Sequence, residues 1–505
     1  MLALFFILSQ ALLTQTADQP KRPPEVLALV DQARALPPEF RADTLLRLSD
    51  SSLIAGTTWK QELIEEAFWS GAHAPLPYPQ RADLRSDSVT ENAVRQNRLE
   101  ALTLQIRAVQ AMLALDPQKA LNLYEEIQAP RLPKLECSTV FTPVVLEYYQ
   151  SAVFVFESVF TSKQRKEGDD FRFLQRVVGS AESPSQVPPA LEMLFAVKIP
   201  PAQRQDLLSL FATKLQGISR SDREYGATET ALVSAITADH LQPSEAGVLL
   251  PALRSYIASH VSGRRCTDNI TASGKMATSA QGFNALAAKF DPAGDRYKPI
   301  SAEEAKPLAD DGSYRQNLTG QSAQSQAIQD ALRWLTHGNR ERDGKVVRWT
   351  LEERSTEDWL AHYDDAVKLV SDLTEKDENS LEAYFCTKSD ALNSLAVLVP
   401  PGTPREKAMD EYREFLEQNY PTIQNRNLWF TMFRHMLYTA RFSDDPKDKA
   451  WILDELARSS NPIIALYAKL ETRIGPPSES HAPARPACTE VARTVSLSCQ
   501  MPDKR

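Results

Sequence analysis

Three ionisable side chains of this sequence have a spacing that suits metal binding or acid catalysis. Asp358, His362 and Asp365 occupy positions i, i+4 and i+7, so a helix would place the imidazole between two carboxylates on one face. Such a group could bind a divalent metal ion, or it could hold a protonated histidine that acts as an acid. A polar ridge with a local ion pair is the alternative, and the sequence supplies no further ligands.

A pair of arginines forms the second candidate, a site for an anion. Arg264 and Arg265 lie in a glycine-flanked segment beside Cys266 and Asp268. Two guanidinium groups in a loop could bind a carboxylate or a phosphate, and we assign Arg264, Arg265 and Asp268 to ligand binding. In the alternative interpretation, a disulfide through Cys266 holds the loop and the arginines pair with Asp268.

The sequence contains none of the common catalytic motifs. It lacks the G-x-S-x-G nucleophile elbow, the GxxxxGK[ST] phosphate-binding loop, the H-E-x-x-H zinc motif and an EF-hand. No cofactor is therefore predicted, no catalytic residue is named, and whether the protein is an enzyme stays open.

Helices are the elements that must position these residues. The 33 prolines of the 505-residue chain often follow a residue that can cap a helix, where the missing N–H of proline costs nothing. These pairs are Asp116-Pro117, Thr403-Pro404, Asp445-Pro446 and Asn461-Pro462. One-sided apolar stripes follow at helical spacing, as at Trp359, Tyr363, Ala366 and Val370. No set of alternating segments joined by hairpin turns is found, so we predict an all-α protein.

The glycines divide the chain. Six of the 17 lie between Gly263 and Gly320, which predicts long loops around short helices near 283–290 and 301–306. We predict two stacked helical-hairpin, solenoid-like domains joined by a Gly-rich loop region. The predicted boundaries are a signal peptide at 1–17, an N-terminal helical domain at 18–261, the loop connector at 262–320, a C-terminal helical domain at 321–474, and a linker with a cysteine-containing tail at 475–505.

Two segments resemble half of a tetratricopeptide unit, in which small residues let two helices approach and an aromatic residue packs between them. The matching residues are Ala108, Ala111, Asp116, Pro117, Ala120, Tyr124 and Ile127 in the first segment, and Ala408, Tyr412 and Phe415 in the second. A proline follows at Pro133 and Pro421, one residue later than usual for that family, and no regular period connects the segments. The resemblance implies stacked helical hairpins and carries over no catalytic residue.

The N-terminus resembles a secretory signal peptide. Residues Leu2 to Leu13 are largely apolar, the first charge is Asp18, and prolines follow. The stretch is too short to span a bilayer, so we expect no transmembrane segment after cleavage and a periplasmic or secreted location. An apolar first helix of a cytosolic protein is the alternative.

Five cysteines are compatible with disulfides in an exported protein. Cys488 and Cys499 are close in sequence and lie in a tail with little apolar content, so we predict that they pair. The sequence does not choose partners among Cys137, Cys266 and Cys386.

The net charge of −9 argues against nucleic acid as a partner, because a positive surface is needed to gather phosphates. The sequence favours an exported helical scaffold that binds a peptide, a protein or an envelope component. The alternative is an exported hydrolase on an α-helical scaffold that uses acidic residues, for which paired carboxyl groups are needed.

Overall fold

The computed structural model confirms an all-α protein. The residues that it describes are 22–75, 97–127, 130, 132, 145–218, 232–233, 235–236, 241–261, 269–304, 322–337, 341–342, 345–346, 349–350, 352–378, 380–399, 403–443 and 445–476. Nineteen α-helices lie within this part of the chain.

Ten of these helices precede residue 220. They are α1 (Pro24–Arg34), α2 (Pro38–Asp50), α3 (Thr57–Ala72), α4 (Ala101–Leu113), α5 (Pro117–Glu126), α6 (Leu146–Ser158), α7 (Ser162–Glu167), α8 (Asp169–Gly179), α9 (Val187–Ala196) and α10 (Pro201–Gly217). A single 3₁₀ turn, Pro184–Gln186, leads into α9.

Nine helices follow. They are α11 (Pro243–Val261), α12 (Asn269–Phe290), α13 (Ala323–His337), α14 (Glu357–Asp372), α15 (Leu381–Leu398), α16 (Thr403–Asn419), α17 (Arg426–Phe442), α18 (Pro446–Ala457) and α19 (Pro462–Ile474). Two 3₁₀ turns, Glu353–Ser355 and Glu375–Asp377, flank α14. The strands Glu341–Arg342 and Lys345–Val346 pair antiparallel, with Glu341 opposite Val346.

Several predicted helix starts are confirmed at the level of single hydrogen bonds. The carboxylate of Asp116 accepts from the Lys119 N–H at 3.0 Å, and Asp445 accepts from the Lys447 N–H at 2.9 Å. Each bond satisfies a backbone N–H that has no partner inside its own helix. The proline directly after each aspartate has no N–H and so needs no hydrogen-bond acceptor.

Consecutive helices pack against each other along much of the chain. The helix α3 contacts both α2 and α4, α10 contacts α11, α15 contacts α16, and α18 contacts α19. A Cβ at Gly71 would lie 2.9 Å from the Cβ of Leu104, so the absence of a side chain there lets α3 and α4 approach closely. Among the described residues, the main apolar core is one cluster whose members extend from Val26 to Leu470.

The prediction of loops from 262 to 320 is wrong over part of that range. Residues 269–290 form the continuous helix α12, and the predicted helix near 283–290 is its last part. The prediction was wrong because it interpreted glycine as a loop residue. A Cβ at Gly282 would lie 2.8 Å from Cγ1 of Val233, so glycine is needed there for close packing. At Ser301 a turn begins, with reciprocal hydrogen bonds to Glu304, and the described segment ends at 304.

The two ends of the described chain contact each other, because α1 packs against α19. Polar side chains from α2, from the turn before α4 and from α4 itself meet side chains of α17 and α19. We call this contact the N–C joint, and its residues are Asp43, Arg47, Asn97, Arg107, Asn427, Thr431, Arg434, Arg441, Tyr467 and Glu471. The domain boundaries given above stay a prediction.

The predicted signal peptide at 1–17 and the tail after 476 lie outside the described residues. Cys137, Cys266, Cys488 and Cys499 lie outside them as well, so their pairing stays a prediction, while Cys386 is half-buried on α15. Among the helices that are described, none is both long and apolar enough to cross a bilayer.

Candidate functional site

The structure brings two of the three residues of the first candidate together. The Nδ1 atom of His362 lies 2.8 Å from the carbonyl oxygen of Asp358 and 3.6 Å from its carboxylate. The imidazole stacks on the indole of Trp334, with ring centroids 3.6 Å apart. The Asp358 side chain is 73% exposed, and Asp365 lies on the exposed side of the same helix.

Within the described ranges, no three histidine, cysteine, aspartate or glutamate side chains form a group able to hold a metal ion. The contact between Asp358 and His362 has the spacing of the local polar pair in the alternative interpretation, and metal binding by Asp358, His362 and Asp365 stays a prediction. The second candidate, formed by Arg264, Arg265 and Asp268, lies outside the described residues.

The most promising site is a cleft that the sequence analysis did not identify. It has a volume of about 610 Å³ and lies between α15 and α17, with the start of α16 and the 3₁₀ turn Glu353–Ser355 at its border. We call it the His435 cleft. It is lined by Arg354, Asp390, Asn393, Ser394, Val397, Arg405, His435, Tyr438, Thr439, Phe442, Ser443 and Asp445.

A histidine and an aspartate face each other across this cleft. The Nδ1 atom of His435 on α17 lies 3.6 Å from the Oδ1 atom of Asp390 on α15, which is longer than a hydrogen bond. Burial, and to a smaller degree the charge of Arg434, lowers the pKa of His435 below its usual value. The imidazole is therefore biased toward its neutral form, in which one ring nitrogen can accept a hydrogen bond.

Two buried atoms of the cleft that can accept a hydrogen bond have no hydrogen-bond partner among the described residues. They are the buried Oδ1 atom of Asn393 and the buried Nδ1 atom of His435. Leaving a buried polar atom without a partner costs about 1–3 kcal/mol, and such atoms are rare in folded proteins. The cleft thus holds hydrogen-bonding capacity that the described fold does not use.

The arginines of the cleft serve the fold. Arg405 donates to the carboxylate of Asp448 at 2.8 Å and to the Val399 carbonyl at 2.6 Å. Arg354 donates to the Leu398 carbonyl at 2.9 Å. Both guanidinium groups therefore bind carbonyls at the C-terminal end of α15, where the negative end of the helix dipole favours a cation.

Two apolar side chains are exposed at the border of the cleft. Phe442, at the end of α17, is 74% exposed, and Val397, near the end of α15, is 43% exposed. Each belongs to the small group of large apolar residues on the surface of the described structure. Their position beside unused polar atoms is typical of a binding site.

A second cleft of about 590 Å³ lies between α5, α7 and α8. Its charged side chains pair with one another, Arg172 with Asp169 and Arg176 with Glu125. These pairs are mostly exposed, and the apolar lining residues Leu121 and Phe160 are buried. This surface therefore has the character of a solvated polar face.

Sequence reasoning missed the His435 cleft, although a signal was present. The residues that line it from α15 are 390, 393, 394 and 397, and those from α17 are 435, 438, 439 and 442, so both sets follow the spacing i, i+3, i+4, i+7. Each set forms one face of a helix. Comparison with protein-family models, with curated proteins and with solved structures finds no match to this chain.

Proposed function

We propose that this protein is a helical scaffold that binds a peptide segment of a partner protein in the His435 cleft. The observation that carries the proposal is the pair of buried polar atoms, Asn393 Oδ1 and His435 Nδ1, that lack hydrogen-bond partners within the described residues. Leaving these two atoms without hydrogen bonds costs free energy, and a ligand that forms hydrogen bonds with them would recover that free energy.

A peptide suits this site better than a rigid small molecule. Its backbone carries N–H donors that unused acceptors in the cleft could bind, and its side chains can reach the exposed Val397 and Phe442. The cleft is open between two helices, and a groove between helices is a common way to bind an extended or helical segment.

The wider context of the proposal comes from the sequence. The apolar residues at 1–17 support export to the periplasm or the outside of the cell, where the partner would be a protein or an envelope component. The tetratricopeptide-like segments support stacked helical hairpins, whose grooves suit protein partners. The negative net charge argues against nucleic acid.

An exported hydrolase is the second candidate, and the pair formed by His435 and Asp390 is the observation that favours it. A neutral imidazole beside a carboxylate could act as a general base on a bound substrate. The scaffold ranks first because the described cleft adds no nucleophile within hydrogen-bonding distance of the imidazole Nδ1 atom.

Selection from a phage-displayed library of short random peptides on the immobilised full-length chain tests the proposal. We expect selected peptides to bind an Asn393→Leu variant at least about tenfold more weakly, because the unused acceptor is gone. The matched control is Asn122→Leu, an exposed asparagine on α5 whose loss should not change binding. Failure to select any peptide, or equal binding by the Asn393→Leu variant, would contradict the proposal.

The same peptides separate the two candidates. Mass spectrometry after incubation with the full-length chain should show intact peptides if the protein is a scaffold. Cleavage that Asp390→Asn and His435→Asn both abolish would instead favour the hydrolase.

A further inference from the structure

We propose that the His435 cleft binds a glutamine or asparagine side chain of its peptide partner, through the two N–H groups of the primary carboxamide. This inference rests on the proposed function and names the chemical group that the cleft recognises. It follows from the kind of buried atom that the cleft offers, from the positions of these atoms on two walls, and from the charge that their surroundings favour.

Both atoms of the cleft that lack a partner within the described residues can accept a hydrogen bond. The amide oxygen of Asn393 only accepts, and the Nδ1 atom of a neutral His435 accepts when the ring proton is on Nε2. The complement is a group that brings two donors to one point. A primary carboxamide carries two N–H groups on one nitrogen, whereas a hydroxyl or a backbone amide carries a single donor.

The two acceptors lie on facing walls of the cleft. His435 is on α17, and its Nδ1 atom lies 3.6 Å from Oδ1 of Asp390 on α15. Asn393 follows Asp390 by three residues, and side chains with this spacing are neighbours on a helix surface, with Cβ atoms about 5–6 Å apart. One amide nitrogen that donates two hydrogen bonds of about 2.9 Å can reach acceptors up to about 5 Å apart. A carboxamide therefore has the reach to bridge the two walls.

The surroundings of His435 favour a neutral donor over a cation. Burial, and to a smaller degree the charge of Arg434, lowers the pKa of His435, so a positive charge on the imidazole is disfavoured. The same surroundings act on the ammonium or guanidinium group of a ligand that donates to the Nδ1 atom. A carboxamide supplies the donors without the charge.

A carboxylate does not suit the two acceptors. It has the shape of a carboxamide but only accepts, so it would place oxygen atoms against Asn393 Oδ1 and His435 Nδ1. The arginines of the cleft do not compensate for this. The Arg405 side chain is 11% exposed and pairs with Asp448, and Arg354 donates to the last carbonyl of α15. We therefore expect the cleft to bind glutamine and to reject glutamate.

The rest of the ligand also has contacts available in the cleft. The hydroxyl of Tyr438, one turn beyond His435 on α17, accepts from Arg434 and can donate to the carboxamide oxygen. Apolar side chains next to the glutamine would cover Phe442 and Val397, which are exposed at the border, and so remove apolar surface from water.

Isothermal titration calorimetry with the full-length chain tests this preference. The probe is a short alanine peptide with a central glutamine between two phenylalanines. It is acetylated at its start and closed by a dimethylamide, so that it carries no second primary amide. Three comparison peptides replace the glutamine by glutamate, by side-chain N,N-dimethylglutamine or by lysine.

The glutamate and dimethylglutamine peptides lack the two N–H donors, and we expect each to bind at least about tenfold more weakly than the probe. The lysine peptide should bind at least about fivefold more weakly, because its charge would be buried. A comparison peptide that binds as tightly as the probe, or no binding of the probe at millimolar concentration, would overturn the inference.

Variants of the protein locate the effect. Asn393→Leu and His435→Leu each remove one acceptor, so each should weaken the probe about tenfold and reduce the preference for glutamine over glutamate. Asn122→Leu, at an exposed position on α5, should change neither. Circular dichroism of each variant shows whether it is folded. An unchanged preference in a folded Asn393→Leu variant would contradict the assignment of this group.

The outcomes separate this inference from the proposed function. If library peptides depend on Asn393 but carry neither glutamine nor asparagine, the preference for a carboxamide is wrong and peptide binding in the cleft stands. If no peptide depends on Asn393, peptide binding in the cleft is itself wrong, and the preference falls with it.

Discussion

Two polar clusters flank the helix α17, and their asparagines differ in how fully their hydrogen bonds are formed. In the N–C joint, Asn97 uses both polar atoms of its side chain, donating to Thr431 at 2.7 Å and accepting from Arg434 at 2.6 Å. In the His435 cleft, the Oδ1 atom of Asn393 has no partner among the described residues. Two asparagines that lie against different faces of α17 thus have opposite surroundings.

The carboxylates of the two clusters differ in exposure. In the joint, the Glu471 carboxylate accepts from Arg441 at 2.7 Å and from Arg47 at 3.4 Å, and its side chain is 2% exposed. In the cleft, Asp390 is largely exposed. Hydrogen bonds that form inside the fold stabilise it. Buried polar atoms without a hydrogen-bond partner reduce its stability and could bind a ligand. The joint therefore holds the ends of the described chain together, and the cleft is the part that we propose for binding.

The largest effect is expected from Glu471→Ala in the joint. This change leaves the buried Arg47 without its carboxylate partner, and breaking a buried ion pair costs about 3–5 kcal/mol. Urea unfolding followed by circular dichroism measures the loss. Asp390→Ala in the cleft is the comparison, and it should cost less than about 0.5 kcal/mol because the side chain is exposed. A loss below about 1 kcal/mol for Glu471→Ala would contradict the role of the joint.

Acid should weaken the joint through Asp43. Burial opposes ionisation of this carboxyl, but the charges of Arg107 and Arg47 and the hydrogen bond from Tyr467 hold its pKa below the usual value. The stabilisation is full above the unfolded-state pKa of about 3.9 and is lost as the pH falls through the lowered folded-state pKa. In urea titrations, the stability gap between the wild type and Asp43→Asn should therefore shrink as the pH falls through this range. A gap that stays constant into strong acid would argue against an ionised Asp43.

A smaller acid effect is expected from the cleft. Because the folded-state pKa of His435 is lowered, the unfolded chain binds a proton first, so stability falls as the pH drops below about 6.5. This loss levels off below the folded-state pKa. His435→Asn should flatten the stability curve between those two pKa values, and urea unfolding at several pH values measures the slope. An unchanged slope would show that the imidazole is not held neutral by burial.

The smallest effect on stability is expected from Phe442→Ala. The side chain is 74% exposed, so its loss should change the free energy of unfolding by no more than about 0.5 kcal/mol. Phe430→Ala, on the buried side of α17, is the comparison. Phe430 is buried against Phe40 and Tyr467, and its loss should cost about 3–5 kcal/mol. Similar losses for both variants would contradict the difference between the two faces.

Local features were predicted from sequence better than distant ones. The caps at Asp116 and Asp445 depend on residues two or three positions away, and the structure confirms them. The joint depends on contacts such as that between Asn97 and Thr431, which are 334 residues apart. A local sequence pattern cannot predict a contact between residues so far apart. Gly282 shows a further limit. The cluster of glycines around it suggested a loop, whereas close helix packing requires a glycine at this position.

The cleft lies between these two cases. Each of its walls follows a helical spacing that the sequence contains, at 390–397 on α15 and at 435–442 on α17. Polar residues on one helix face usually indicate solvent, so neither wall stands out alone. Only the packing of α15 against α17 brings both walls together and buries Asn393 Oδ1 and His435 Nδ1.

The same substitution on the two sides of α17 tests the central claim most directly. In urea unfolding, Asn97→Leu should lose about 2–3 kcal/mol, because it removes the buried side chain that donates to Thr431 and accepts from Arg434. Asn393→Leu should lose nothing and gain up to about 1 kcal/mol, because it removes a buried acceptor that the described fold does not use. Equal losses for the two variants would mean that the cleft is part of the stabilising network, and would contradict its assignment as a binding site.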